Sequence, residues 1–260
     1  MLKIGVAQIV NSTELERNFA SIESFLRLFS KENVHVVLFP ECSLSGFSAK
    51  IKECTIDRLQ PFLSSIENWS RQTGIHVVLP TAIFENGEVY NSGFWFGDGV
   101  ASRFQKLGLT ESEKKFFSVS EAHRQKVFSI NGYRCALLVC MESQQDPWTH
   151  FQANQADIIL WPGYWGWTLN DRWNSVSHEG KPNLVYKNMS AWGLPLIQAN
   201  FAANDLGDSR TTGPEGLSVV VDENNVQRYK GPHLEEAGFV VTLGRNEGRV
   251  VLQDCRSIDE

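Results

Sequence analysis

Val34-His-Val-Val-Leu-Phe-Pro-Glu41 is a short, nearly continuous apolar run, closed by a proline and followed at once by an acid. A run of this kind reads as a strand buried on both faces, which belongs in a sheet covered by helices. Upstream, Leu15, Phe19, Ile22, Leu26 and Phe29 recur at spacings of four and three. That spacing predicts an amphipathic helix, and Thr13 with Glu16 forms a capping-box pattern at its start. Residues 3–10 alternate as a strand before it. Downstream, Leu59, Phe62, Leu63, Ile66 and Trp69 predict a second helix, with Gly74 at its C′ position.

The middle of the chain changes character. Residues 76–84, 89–96 and 101–106 read as strands separated by Glu85-Asn-Gly87 and Gly97-Asp-Gly99. These are turn signals, so the segment is a meander rather than a βαβ unit. Residues 126–130 and 133–140 make a further hairpin around Asn131-Gly132. A short helix over 147–154 and a buried strand over 157–161, ending at Pro162, follow. A helix within 171–192 leads to a strand at 196–200. Strands at 217–221 and 238–243 flank the turn Asp222-Glu-Asn-Asn225, and the tail after Arg245 is charged. So many strands and hairpins exceed one comfortable open sheet. The expected fold is α/β, a four-layer α-β-β-α sandwich with two mixed β-sheets packed face to face, as one domain over residues 1–260.

Composition narrows the function. The chain has 260 residues, Lys plus Arg number 24 and Asp plus Glu number 30, for a net charge of −6. That excludes a nucleic-acid binder held by a generally basic surface. No apolar run approaches the ~18 residues of a membrane helix. Gln8 interrupts the N-terminal apolar run and no A-x-A-like cleavage site follows, so a cytoplasmic location is expected. The cysteines number 5, an odd count, and no C-x-x-C occurs; the 6 histidines are scattered without an H-x-x-x-H pair. A disulfide scaffold and a metal site are therefore not expected.

Three reactive residues fall at the ends of predicted buried strands: Glu41 after 34–40, Lys106 after 101–105 and Cys140 after 135–139. Strand ends are where α/β folds collect reacting groups. Singly, each has a plain structural role, as a loop carboxylate, a solvated lysine and a small buried hydrophobe. Together, an acid, an amine and a thiol suit acyl transfer: the thiol attacks, the carboxylate takes its proton and the ammonium stabilises the oxyanion.

The local strings go further. Leu38-Phe-Pro-Glu41 resembles the "lPE" segment of the nitrilase superfamily, the carbon–nitrogen hydrolases. Tyr90-Asn-Ser92, Gly99 and Arg103-Phe-Gln-Lys106-Leu-Gly-Leu-Thr110 are similar to that family's lysine segment. Leu137-Leu-Val-Cys140-Met-Glu142 resembles its nucleophile segment, and Ala156-Asp-Ile-Ile-Leu-Trp-Pro162 the strand after it. Ala199-Asn200 and Gly216-Leu-Ser218 resemble its late elements, so the likeness runs through nearly the whole chain in order.

This resemblance implies Cys140 as nucleophile, Glu41 as general base and then acid, and Lys106 as stabiliser of the tetrahedral intermediate, with the backbone N–H of Met141. It implies Glu113 as a second acid that positions Lys106 and assists proton traffic, although Glu113 also fits a helix-face carboxylate paired with a lysine. No cofactor or metal is implied. A homodimer or larger homo-oligomer is. The implied reaction is hydrolysis of a small linear carboxamide through a cysteine thioester with release of ammonia. Nitrile and N-carbamoyl hydrolysis use the same attack, and pocket shape decides among them.

There are departures. Glu142-Ser-Gln-Gln-Asp-Pro-Trp148 lacks the arginine that many members carry there, which argues against dicarboxylate-like substrates; Met141 and Leu217 replace a frequent aromatic and a frequent histidine. Trp161, Tyr164, Trp165 and Trp167 cluster after a predicted strand, and Tyr164 and Trp165 are the candidates for lining a pocket. The competing readings are a catalytically idle relative used for binding or assembly, and a papain-like Cys–His hydrolase.

Overall fold

The computed structural model describes residues 1–120, 122–123, 126–144, 156–174, 183–206 and 213–258. The expected helix at 147–154 lies outside the described residues. The first sheet has seven strands. Three are parallel: β1 (Leu2–Gln8), β3 (Val36–Leu38) and β4 (His76–Glu85). The meander β5 (Glu88–Gly97) and β6 (Val100–Gln105) continues one edge, antiparallel. β14 (Ala237–Asn246) and β15 (Arg249–Ile258) continue the other.

The second sheet has six strands and repeats the plan. β8 (Tyr133–Leu137), β9 (Ile158–Pro162) and β10 (Leu196–Ala199) are parallel. β7 (Val127–Ile130) flanks them on one side, and β12 (Val219–Val221) with β13 (Gln227–Lys230) on the other, all antiparallel. Two short strands, β2 (Asn11–Ser12) and β11 (Asn204–Asp205), pair with each other.

Side-chain alternation along the strands builds the layers. Ile4, Val6, Val36 and Leu38 of the first sheet pack with Leu137, Ile158, Leu160 and Ile197 of the second, forming the core between the sheets. Ala7, Val37, Val77 and Leu79 point the other way, onto α1 (Leu15–Ser30) and α2 (Ile56–Thr73). Ile159, Trp161 and Leu196 face α3 (Leu184–Trp192) through Val185 and Met189. The result is the expected α-β-β-α sandwich. Gln8, at the end of β1, ties the sheets together. Its Oε1 accepts from the Ser218 N–H at 2.9 Å and hydroxyl at 2.8 Å, and its Nε2 donates to the carbonyls of Pro232 and Glu235, both at 2.8 Å. No helix among the described residues is long and apolar enough to cross a membrane.

Helix ends follow local chemistry. Thr55 caps α2 by accepting from the Arg58 N–H, and Gly74 closes it at φ 71°. The Thr13–Glu16 capping box does not form. The N-cap of α1 is Glu14, which makes no side-chain cap bond. Asn18 holds that turn instead, accepting from the Ser12 N–H at 3.1 Å and donating to the Ser12 carbonyl at 3.0 Å.

Other expectations are corrected. β8 stops at Leu137, and Cys140 opens the 3-10 turn Cys140–Gln144 rather than ending the strand. The turn at Asp222 joins β12 to β13, and the charged tail is the edge strand β15. Charges on an edge strand are a device against unwanted pairing, which disguises it as a tail.

One contact shows how tightly α1 seats on the sheet. A Cβ on Gly5 would lie 2.6 Å from the Phe29 ring. Gly5→Ala is expected to cost about 1–3 kcal/mol by overpacking, read from urea unfolding. Phe29→Ala is expected to cost about 3–5 kcal/mol. The double variant should cost less than the sum, because the two side chains share one space.

Candidate active site

The ends of β3, β6 and β8 converge where the sheets meet. Glu41 lies three residues past β3 and is 0% exposed. Lys106 directly follows β6 and is likewise 0% exposed. Its ammonium bonds Glu41 Oε1 at 2.7 Å and Glu113 Oε1 at 2.5 Å. Glu113 belongs to the 3-10 turn Glu113–Lys115, where a capping box orients it: its N–H donates to Thr110 Oγ1 at 3.1 Å, and its Oε2 accepts from the Thr110 N–H at 2.8 Å. The second oxygen is thereby left to face Lys106. The lysine that Glu113 pairs with is Lys106.

Asn91 on β5 completes the surroundings of Glu41. Its Nδ2 donates to Glu41 Oε1 at 2.7 Å, while its Oδ1 lies 3.7 Å from Cys42 Sγ. Glu41 Oε2 has no hydrogen-bond partner among the described residues, although it is buried. An orphaned carboxylate oxygen is costly in a structural role and useful in one that receives a proton.

Cys140 is 9% exposed and has φ 48°. The left-handed region costs a residue with a Cβ on the order of 1–2 kcal/mol, so the surroundings must hold it. Its carbonyl accepts from Trp161 Nε1 at 2.9 Å and from Ser143 Oγ at 2.8 Å. Its thiol points at the Tyr164 carbonyl, 3.8 Å away.

The charges act on one another. Burial lifts the Glu41 carboxyl above its ordinary value; Lys106 opposes this and Glu113 reinforces it. Burial works against the Lys106 ammonium, but the charges of Glu41, Cys140 and Glu113 outweigh it and hold the lysine protonated. Burial also pushes the Cys140 thiol well up, Glu41 adds to that, and Lys106 pulls it down. At rest the proton therefore belongs on sulfur, and the carboxylate beside it is a stronger base than an exposed glutamate.

The pocket candidates divide. Tyr164 lies beside Cys140 through its carbonyl; its ring stacks on Phe47 with centroids 4.5 Å apart, and its hydroxyl accepts from Asn204 Nδ2 at 2.8 Å. Trp165 is held through its backbone by Asn200, and its ring packs edge-on to Trp161 at 4.9 Å, beside Trp167. Met141 is half-buried next to the nucleophile candidate. Of the four described histidines, His35 bonds the Lys3 N–H, His76 bonds Trp95 and His233 bonds Glu215, while His123 lies within electrostatic reach of Arg103 and Glu85.

Sequence reasoning missed the supporting residues. Asn91 sits inside the quoted Tyr90-Asn-Ser92 string, and Thr110-x-x-Glu113 is a capping-box pattern that was open to reading. Glu142 closes the string that resembles the nucleophile segment but has no role assigned there, and Lys126 reads only as the start of a strand. The structure joins those two in a buried ion pair.

Removing the negative charge of Glu41 favours the thiolate, and removing the positive charge of Lys106 disfavours it. At fixed, mildly alkaline pH, iodoacetamide alkylation of Cys140, followed by peptide mass spectrometry, should quicken in Glu41→Gln and slow in Lys106→Met.

Comparison with known proteins assigns the chain to a family. Residues 3–192 match the family model described as Carbon-nitrogen hydrolase. A curated nitrilase from Pyrococcus abyssi (strain GE5 / Orsay) is 23% identical over 149 residues, 55% of this chain and 56% of the relative. The matched stretch thus spans about half of that relative. Among solved structures, a variant of the amidase from Nesterenkonia sp. AN1, with acrylamide added at its active-site cysteine, superposes with a TM-score of 0.75 at 20% identity, covering 94% of each chain. A glutamine-dependent NAD+ synthetase from Acinetobacter baumannii superposes with a TM-score of 0.76 at 17% identity, covering 99% of this chain and 48% of that one. At these identities the structural matches establish the shared fold.

Proposed function

Since the chain belongs to the carbon–nitrogen hydrolase family, we propose that it hydrolyses a small linear carboxamide, with Cys140 as nucleophile, Glu41 as base and acid, and Lys106 as oxyanion stabiliser. The observation that carries this reading is the buried hydrogen-bonded set Glu41–Lys106–Glu113, with its one orphaned oxygen on Glu41, within electrostatic reach of a strained cysteine.

In this reading the Cys140 thiol passes its proton to Glu41 Oε2 as sulfur attacks the amide carbon. The carbonyl π-electrons move to oxygen, where Lys106 and the Met141 N–H stabilise the alkoxide. Collapse re-forms the carbonyl and breaks the C–N bond. Glu41 gives its proton to the departing nitrogen, and ammonia leaves behind a thioester. Glu41 then takes a proton from water as the hydroxide attacks that thioester. A second collapse releases the carboxylic acid, and the proton returns to sulfur. Glu113 has no share in these transfers; it holds Lys106 charged and in place.

The same reading takes residues 1–260 as one catalytic domain and expects a cytoplasmic homodimer or larger homo-oligomer. The aromatic surroundings of Tyr164 and Trp165 suit an uncharged acyl group. The likeness to a glutamine-dependent synthetase puts the glutamine side-chain amide on the list of substrates to try.

The direct experiment is ammonia release from a panel of aliphatic amides, glutamine, N-carbamoyl compounds and nitriles. One compound should be turned over, and Cys140→Ala should lose about 10³-fold or more. Release from no compound favours the idle binding relative, and unchanged release from Cys140→Ala removes thiol catalysis. The pH profile is a second test. The acid limb of kcat/KM reports ionisation of Glu41 and should lie above the ~4.3 of an exposed glutamate. Asn91→Leu removes a donor that favours the carboxylate, so it should move that limb to still higher pH.

A further inference from the structure

Beyond Glu41, Lys106 and Glu113, the site holds a second buried ion pair, Lys126–Glu142, with side chains 0% and 4% exposed. The chemistry just described does not use it. Its bonds connect the two loops that chemistry needs. Glu142 Oε2 accepts from the Val139 N–H at 2.7 Å, and the Glu142 N–H returns a bond to the Val139 carbonyl at 3.1 Å. This reciprocal closure encloses Cys140. Glu142 Oε1 accepts from the N–H of Leu107 at 2.7 Å and of Gly108 at 3.2 Å, the two residues after Lys106. The Lys126 ammonium bonds the same oxygen. Lys126 is anchored to the strand leading to the nucleophile, its carbonyl accepting from the Leu137 N–H at 2.8 Å.

Lys106 and Cys140 arise from different sheets, so nothing in either strand ladder fixes one against the other. A single carboxylate bonded to the backbone of both loops does. We propose that Glu142 is a positioning residue that sets the Cys140 turn against the Lys106 loop, with Lys126 as the counter-ion that keeps its carboxylate in place. The inference rests on the hydrolase reading for its catalytic consequence, but its geometric core is independent of any substrate.

Two substitutions probe it. Glu142→Gln keeps the volume but replaces one acceptor by an NH2, which then faces either the Val139 N–H or the donors of the lysine loop. Glu142→Asp keeps the charge but is one methylene too short to reach both loops. Alkylation of Cys140 by iodoacetamide, at fixed mildly alkaline pH, needs no substrate. As Lys106 drifts from the thiol, the rate should fall about 10-fold in both variants, with folding checked by circular dichroism. With the substrate found above, kcat per folded enzyme should fall about 10²-fold while KM stays within about threefold.

Alkylation and kcat within threefold of the parent in both variants, whatever the melting temperature, would overturn the proposal. Failure of both variants to fold would also overturn it, by assigning Glu142 to folding alone. Unchanged ammonia release in Cys140→Ala would instead strike the hydrolase reading and leave the alkylation result standing.

Discussion

The structure depends on the buried ammonium of Lys106. Lys106 is out of solvent and lies between two carboxylates, Glu41 at 2.7 Å and Glu113 at 2.5 Å. An unpaired charge at such depth is costly, and loss of one partner from a buried pair typically costs about 3–5 kcal/mol. Each member is therefore tied to the others. Glu41 stays close because Lys106 and Asn91 hold one oxygen, and Glu113 stays close because its turn aims it. The consequence reaches the thiol. Lys106 offsets part of the penalty that burial and Glu41 impose on a charged sulfur.

The sandwich makes this assembly possible by what it leaves unpaired. Each sheet has a parallel centre, and the segments after β3 and β8 leave that centre toward a common region. The apolar core between the sheets brings those segments together without itself supplying a polar group. At the rim the chain leaves ladder geometry, and side chains replace ladder bonds. Trp161 and Ser143 hold the Cys140 carbonyl, and Asn200 holds both the N–H and carbonyl of Trp165. The left-handed conformation at Cys140 survives because these bonds over-determine it.

Much of the fold was legible because it was written in local patterns. The apolar run ending at Pro40, the helices of period 3.6 and the Asn-Gly turns each depend on neighbours in sequence. What was obscured is equally physical. β13 and β15 lie at sheet edges, where solvent replaces one neighbour and the alternation weakens. The capping pattern at Thr13 lost to a pairing of Ser12 with Asn18. In the site, Glu41, Lys106 and Cys140 stood out because reactive residue types followed buried strands in an ordered set of strings, and Glu113 stood out only through the family resemblance. Asn91, Lys126 and Glu142 did not. Their meaning lies in partners 50, 16 and 35 positions away, which no local string reveals.

Glu113 and Glu142 share a construction. Each is the fourth residue of a tight turn and bonds the backbone N–H of the first, Thr110 or Val139, with one oxygen, leaving the other free to reach across the site. The turn bond spans three residues, whereas the bonds made by the free oxygens reach partners 7 to 35 positions away. Short closures form early and cheaply in a folding chain, and distant ones late. Each glutamate thus has its rotamer restricted before its far partner arrives, and most of its side-chain entropy is already surrendered to a local bond. The contacts that join the two loops of the site are then less demanding in order, because the groups that make them have been aimed by the chain's own nearest neighbours.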